Sequence, residues 1–164
     1  MLVVGLTAAP APTANGKRTA ACKTIADVEA LIAMGAKDGY SGFGHDWPIQ
    51  QIPGTRRFSG REVSCQWASD NGLGNLDLGI LVLPTRAEAT RYYRAWNPVC
   101  PKPQRVNVGA GGCGAAGFLR AHWGRFVLGL GGALSKDGSV MSGPALEILA
   151  KRVFSRAPGV FAGR

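Results

Sequence analysis

The sequence predicts an α+β fold in which an antiparallel sheet of two β-hairpins is covered by three helices, in the order α-ββ-α-ββ-α. Two segments, 61–83 and 117–134, alternate apolar and polar residues on either side of turn residues, a pattern typical of hairpins. Three other segments repeat apolar residues at helical spacing, and helices with one apolar face need a sheet to cover. Apolar residues make up 46% of the 164 residues, which is enough for one buried core.

The first predicted helix follows Cys22, in the stretch KTIADVEALIAMG. Thr24 and Asp27 resemble a capping box, and Gly35 supplies the end of the helix. The next stretch, 39–60, is rich in glycine, proline and aromatic residues, so we expect a long, structured loop there.

The first predicted hairpin joins REVSCQWAS to LDLGILVLP through the turn residues DNGLGN. Its core face carries Cys65. A second helix then begins at Thr85, because Thr85 and Glu88 form a capping box, and Asn97 and Pro98 end it.

The glycine-rich stretch GAGGCGAAG contains G-x-G-x-x-G at Gly112, Gly114 and Gly117. That motif binds a dinucleotide only where it follows a strand and opens a helix. Here period-two alternation follows it, in GFLRAHWGRFVLGLGGAL, so we interpret the glycines as a tight loop leading into the second hairpin. The sequence therefore predicts no nucleotide cofactor.

The third predicted helix begins near Ser142 and Pro144 and ends at Pro158 and Gly159. These boundaries give a leader-like or disordered segment at 1–20, a single α+β domain at 21–157 and a short tail at 158–164. Residues 1–6 are apolar and lead into TAAPAPTANG, which resembles the end of an export signal whose start lies upstream of Met1; a disordered extension is the alternative. No run of 18 apolar residues occurs, so the sequence predicts no transmembrane segment.

The chain carries 19 Lys and Arg against 10 Asp and Glu, a formal net charge of +9. This balance favours an anionic partner such as nucleic acid, lipid headgroups or a cell-wall polymer. The arginines are spread along the sequence, as on an ordinary solvated surface, and do not select one of these partners.

Cysteines 22, 65, 100 and 113 are even in number and include no C-x-x-C pair, which argues against a metal site. Chain order leaves three disulfide pairings open. We favour Cys22 with Cys65 and Cys100 with Cys113, since the second bond would brace a loop that has no other evident order. Four reduced thiols in a cytosolic protein are the alternative.

Several weak motifs occur in a fixed order along 21–157. They are a helix after the first cysteine, the Cys-x-Trp of Cys65 and Trp67, the Thr-x-x-Glu helix, and the glycine-rich loop before Phe118. In this order the chain resembles small secreted lipoproteins of unknown function from high-GC Gram-positive bacteria. The resemblance implies export, a PsbP-like or related α+β fold, a disulfide between Cys22 and Cys65, and no established enzymatic activity. Cys22 lacks the apolar run of a lipobox, which puts lipid attachment there in doubt.

The chain has two histidines, and neither belongs to a recognisable catalytic framework. His45 beside Asp46 is the best pair available, yet adjacent side chains seldom point at one target. The sequence therefore predicts a non-catalytic binding or structural module of the cell envelope that holds an anionic or apolar ligand. Two groups of residues are the candidate binding residues, the loop aromatics and a cluster on the second hairpin: Tyr40, Phe43, Trp47, Arg120, His122 and Arg125.

Two alternatives stay open. The loop aromatics could instead pin the long loop to the core. The whole chain could be a cytosolic nucleic-acid-binding protein that presents arginine and aromatic residues on a sheet, although it carries no known nucleic-acid-binding signature. Export and cytosolic residence differ in whether the cysteines are oxidised.

Overall fold

The computed structural model describes residues 21–26, 41–69 and 71–162, and within them the fold is α+β. A seven-stranded antiparallel sheet has the strand order β1-β2-β3-β7-β6-β5-β4. Its strands are β1 Ser41–Pro48, β2 Arg61–Ala68, β3 Asn75–Val82, β4 Arg105–Val106, β5 Gly111–Ala115, β6 Phe118–Trp123 and β7 Phe126–Leu134. The helices are α1, which occupies 21–26, α2 Arg86–Trp96 and α3 Gly143–Phe161.

Both predicted hairpins are present, as β2–β3 and β6–β7. They join at the centre of the sheet, where β3 pairs with β7, so hairpins from distant parts of the sequence form one continuous ladder. The two-hairpin description and the order α-ββ-α-ββ-α are nevertheless incomplete, because three further strands extend the sheet at its edges.

The prediction of a loop over 39–60 is wrong for 41–48, which form β1 along β2. The interpretation of 109–117 as a loop is wrong for Gly111–Ala115, which form β5 along β6. Glycine is needed in β5 where a neighbouring strand packs closely: a Cβ at Gly112 would lie 2.7 Å from Val106 Cγ2. Gly117, with a φ of 82°, makes the turn into β6.

The predicted N-cap at Thr85 is confirmed, since Thr85 Oγ1 accepts a hydrogen bond from the backbone N–H of Glu88 at 3.1 Å. The Glu88 carboxylate pairs with Arg91 at 3.4 Å. The start predicted for the first helix at Thr24 is wrong, because residues 21–26 are helical and include Cys22. Its predicted continuation to Gly35 lies outside the described residues.

The end predicted for the third helix is also wrong, because α3 continues through Pro158 to Phe161. Its last turn buries Val160 and Phe161, and the Phe161 ring lies 5.9 Å from that of Phe126. This apolar burial offsets the backbone hydrogen bond that a proline cannot donate. The segment 158–161 therefore belongs to the domain and not to a tail.

The two faces of the sheet are covered unequally. Residues of α1 and α3 pack on one face, against alternate residues of β2, β3, β6 and β7 such as Trp67, Leu78 and Leu128. On the other face α2 and the segment 49–58 bury a smaller cluster around Leu81 and Val127. The middle of this second face stays open.

The structure has the disulfide pairing that we favoured. Cys22 bonds to Cys65 on the α1 and α3 face, and Cys100 bonds to Cys113 on the α2 face, each with a Cα–Cα distance of 5.8 Å. Cys22 is 1% exposed, and its sulfur is part of the bond. The Cys22 thiol is therefore not available for lipid attachment in this fold.

Candidate functional site

The open part of the second sheet face forms a groove of about 240 Å³ beside α2. Its floor consists of sheet residues, and its walls come from α2 and from the segment after β1. We call it the sheet groove. Its lining includes Gln50, Glu62, Ser64, Asp77, Gly79, Tyr92, Trp96, Arg120, Gly129 and Gly131.

Glycines shape the floor of the sheet groove. The register aligns Ser64 with Gly79, Gly79 with Gly129, and Gly129 with Arg120, so one row crosses four strands. A Cβ at Gly129 would lie 2.5 Å from Cη2 of Trp96, whereas a Cβ at Gly131 would have nothing within 4 Å. Gly129 therefore allows the indole to lie against the sheet, and the floor next to it at Gly131 is open.

Glu62 places a carboxylate on this floor. Its Oε1 lies 3.0 Å from the position that a Cβ of Gly79 would take. Burial raises the pKa of Glu62 above its ordinary value of 4.5, although a hydrogen bond from the Gln50 backbone partly opposes the shift. A half-buried carboxyl with a raised pKa is a group that a ligand cation or a hydrogen-bond donor would satisfy.

Tyr92 connects Glu62 to the wall of the sheet groove. Its hydroxyl donates a hydrogen bond to the Gln50 carbonyl oxygen at 3.0 Å. Burial, together with the negative charge of Glu62, raises the pKa of Tyr92 to about 12. The phenol therefore stays protonated at every physiological pH and holds the segment around Gln50 against α2.

Arg120 is the β6 residue of the row that begins at Ser64, and it lies over the indole of Trp96. Its guanidinium carbon is 4.4 Å from the centre of the Trp96 ring. Its Nη1 donates a hydrogen bond to the Trp96 carbonyl oxygen at 3.3 Å. These two contacts fix the guanidinium and leave most of its five N–H donors for another acceptor. The lining of the sheet groove thus includes two carboxylates, Glu62 and Asp77, and the positioned guanidinium of Arg120.

The cluster predicted from Arg120, His122 and Arg125 is divided among three places. Arg120 lies in the sheet groove. The His122 ring lies under α2, 4.6 Å from the Tyr93 ring, and its Nδ1 is buried with no hydrogen-bond partner in the described part of the chain. Burial, then the charges of Arg94 and Arg86, lower the pKa of His122. Arg125 is exposed in the turn between β6 and β7.

Two of the three predicted loop aromatics lie on a strand. Phe43 and Trp47 belong to β1, where the register pairs them with Gln66 and Glu62. Tyr40 lies outside the described residues.

Arginines gather outside the sheet groove as well, around a second depression on α2. The depression has a volume of about 620 Å³ and is lined by one helix alone. We group with its arginines the exposed arginines of two neighbouring segments, the one that precedes Phe58 and the turn between β6 and β7. We call the whole set the arginine surface: Arg56, Arg57, Arg86, Arg91, Arg94 and Arg125.

Glu62, Tyr92 and Trp96 were missed as site residues by reasoning from sequence. Glu62 belongs to the polar side of an alternating strand, which is ordinarily a solvated side. The available signal was the glycines at 79, 129 and 131 inside apolar strands, since glycine in a strand often marks close approach by another group.

Metal binding has no support in the described ranges, where no group of three or more His, Cys, Asp or Glu side chains could hold an ion. The residues of the G-x-G-x-x-G motif lie on β5 and in its turn into β6, not at the start of a helix. Among residues 21–26, 41–69 and 71–162, no helix has the length and apolar character needed to cross a bilayer.

Comparisons of the chain with protein-family models, with curated proteins and with solved structures give no match. The case for a function therefore depends on the geometry of the chain itself.

Proposed function

We propose that this protein is an exported, non-catalytic binding module of the bacterial cell envelope, and that its ligand site is the sheet groove. The observation that carries the proposal is that one groove with a floor of glycines is lined both by a half-buried carboxylate, Glu62, and by a positioned guanidinium, Arg120. We infer a small polar ligand that bears both a donor or cationic group and an anionic group.

The placement of these groups supports binding more than stability. A half-buried carboxyl with a raised pKa costs folding free energy, because the folded state disfavours its charged form. Glycines in β3 and β7 give up side-chain packing at the centre of the sheet. Both costs are expected at a site that binds something, where stability is traded for function.

Two features support export. The two disulfides are the kind of crosslink that persists in an oxidising compartment. The resemblance to small secreted lipoproteins, with its PsbP-like fold, agrees with that placement and remains part of the proposal. Lipid attachment at Cys22 is not part of it.

The ligand site is tested by ligand-observed NMR with free amino acids and dipeptides as probes. These probes carry an ammonium group, which matches Glu62, and a carboxylate, which matches Arg120. We expect at least one class to bind, and Glu62→Gln or Arg120→Gln to weaken its binding about tenfold or more, since each removes a charge-assisted hydrogen bond.

The matched controls are Glu147→Gln and Arg152→Gln. Both residues lie on α3, across the sheet from the groove. Both controls should bind as the parent does. Equal loss in the controls, or no binding of any probe class, would contradict the assignment of the sheet groove as a ligand site.

Export is tested separately by counting thiols on protein taken from its native compartment and alkylated before reduction. Four cysteines blocked as the two disulfides would support the envelope assignment. Four free thiols would overturn it and favour the alternative, a cytosolic nucleic-acid-binding protein.

A further inference from the structure

The arginine surface brings together residues that are far apart in sequence. Arg86, Arg91 and Arg94 line the depression on α2. The Arg91 guanidinium lies 4.7 Å above the ring of Phe58, which places the exposed Arg57 next to the helix.

The turn between β6 and β7 completes this surface. The backbone N–H of Leu83 donates a hydrogen bond to the carbonyl oxygen of Arg125 at 2.9 Å, which brings Arg125 to the start of α2. Arg125 and Arg86 are both exposed.

Acidic residues are nearly absent from the same surface. The segments 49–60, 83–97 and 124–125 contain one, Glu88, which pairs with Arg91 at 3.4 Å. Within the described part of the chain, Arg86 and Arg94 have no acidic partner within 4.0 Å. Their charges also act on His122, whose pKa they help to lower. The surface is a concentrated positive field that needs an external anion.

We propose that the arginine surface binds a flexible, phosphate-bearing polyanion through the phosphates alone, independently of the sheet groove. Arginine matches phosphate with a fork of N–H donors, and several arginines around one depression match phosphates repeated along a chain.

Two observations favour this polyanion over nucleic acid and over a membrane. Single-stranded nucleic acid is held by exposed aromatic rings, but the Phe58 ring beside this surface is 3% exposed and lies under Arg91. Membrane surfaces are held by apolar side chains that insert beside the charges. Three of the exposed large apolar residues of the described chain, Leu73, Val140 and Ile148, belong to other segments, and the Trp123 ring lies 6.3 Å from that of Phe154 on α3. Val99, after the end of α2, is the one exposed large apolar residue of the described chain that follows this helix.

The test uses inorganic polyphosphate as the probe, with binding measured by calorimetry across a range of salt concentrations. We expect binding that weakens as salt rises, because counterions are released from the polyanion. The double variant Arg86→Ala/Arg94→Ala should lose about tenfold or more in affinity at low salt and should show a smaller salt slope, by about 1 for each contact removed.

A charge-matched control separates a local site from net charge. Lys136→Ala/Lys151→Ala removes two charges from the loop after β7 and from α3, away from the arginine surface. It should keep most of the affinity. Equal weakening in the two double variants would overturn the proposal, since dispersed charge would then explain the binding.

Two further arms distinguish the occupants. Oligothymidylate of equal charge should bind no tighter than polyphosphate, and vesicles of phosphatidylglycerol should bind more weakly. Tighter binding of either one would overturn the proposal in its favour. Because the arginine surface excludes Glu62 and Arg120, Glu62→Gln should leave polyphosphate binding unchanged, so this proposal and the proposed function can fail separately.

Discussion

Removing the bond between Cys22 and Cys65 should destabilise the domain more than removing the bond between Cys100 and Cys113. The first bond closes a sequence separation of 43 residues and the second a separation of 13. In the chain-entropy model these closures stabilise by about 4 and about 3 kcal/mol. A domain of this size loses about 2–4 °C of melting temperature per kcal/mol, so we expect losses of about 8–16 °C and about 6–12 °C.

The assay is thermal unfolding followed by circular dichroism, without reductant, on Cys22→Ala/Cys65→Ala and on Cys100→Ala/Cys113→Ala. Alanine is chosen because Cys22 and Cys65 are buried, where a serine hydroxyl would need a hydrogen-bond partner. Each single variant of the first pair should melt close to its double variant. A loss of less than about 3 °C in Cys22→Ala/Cys65→Ala, or a smaller loss than in the second pair, would refute the argument.

Three further predictions follow from the sheet groove and the residues under α2. Glu62→Gln should raise the melting temperature at pH 7 and change it little at pH 3.5. The reason is that the pKa of Glu62 is raised in the folded state, so its contribution to stability is complete below the ordinary pKa of 4.5 and is lost as pH rises. An equal change at both pH values would contradict this. Gly129→Ala should lower the melting temperature by several degrees and shift the emission of Trp96, because a Cβ there meets the indole at 2.5 Å, while Gly131→Ala, with nothing within 4 Å, should melt like the parent. His122→Phe should reduce the loss of stability that occurs between pH 7.5 and pH 5. The pKa of His122 is lowered from 6.5 in the folded state, so the unfolded state binds the proton first as pH falls. The same dependence of melting temperature on pH in the variant and in the parent would contradict this.

Strong local patterns predicted the centre of the fold. The two hairpins alternate with period two, and Thr85 caps the N-terminus of α2 as its position indicates. These features depend on neighbouring residues alone, so a single sequence contains them.

The edges of the sheet and the site depend on distant residues. β1 and β5 are rich in glycine, and only pairing with β2 and β6 makes them strands. Helix α3 continues beyond Pro158 because Phe161 in its last turn packs against Phe126. Glu62 on β2 and Arg120 on β6 line the same groove only because β3 pairs with β7. The sequence of either hairpin alone does not predict that pairing.

The short edge strand β4 has a consequence for how copies of the protein behave at high concentration. An edge strand offers unpaired backbone groups to which another chain can add, and β4 offers two residues. The preceding segment contains Pro98, Pro101 and Pro103, whose nitrogens carry no hydrogen to donate. Strand addition by a second copy is therefore disfavoured at this edge, which limits fibrillar growth from that side.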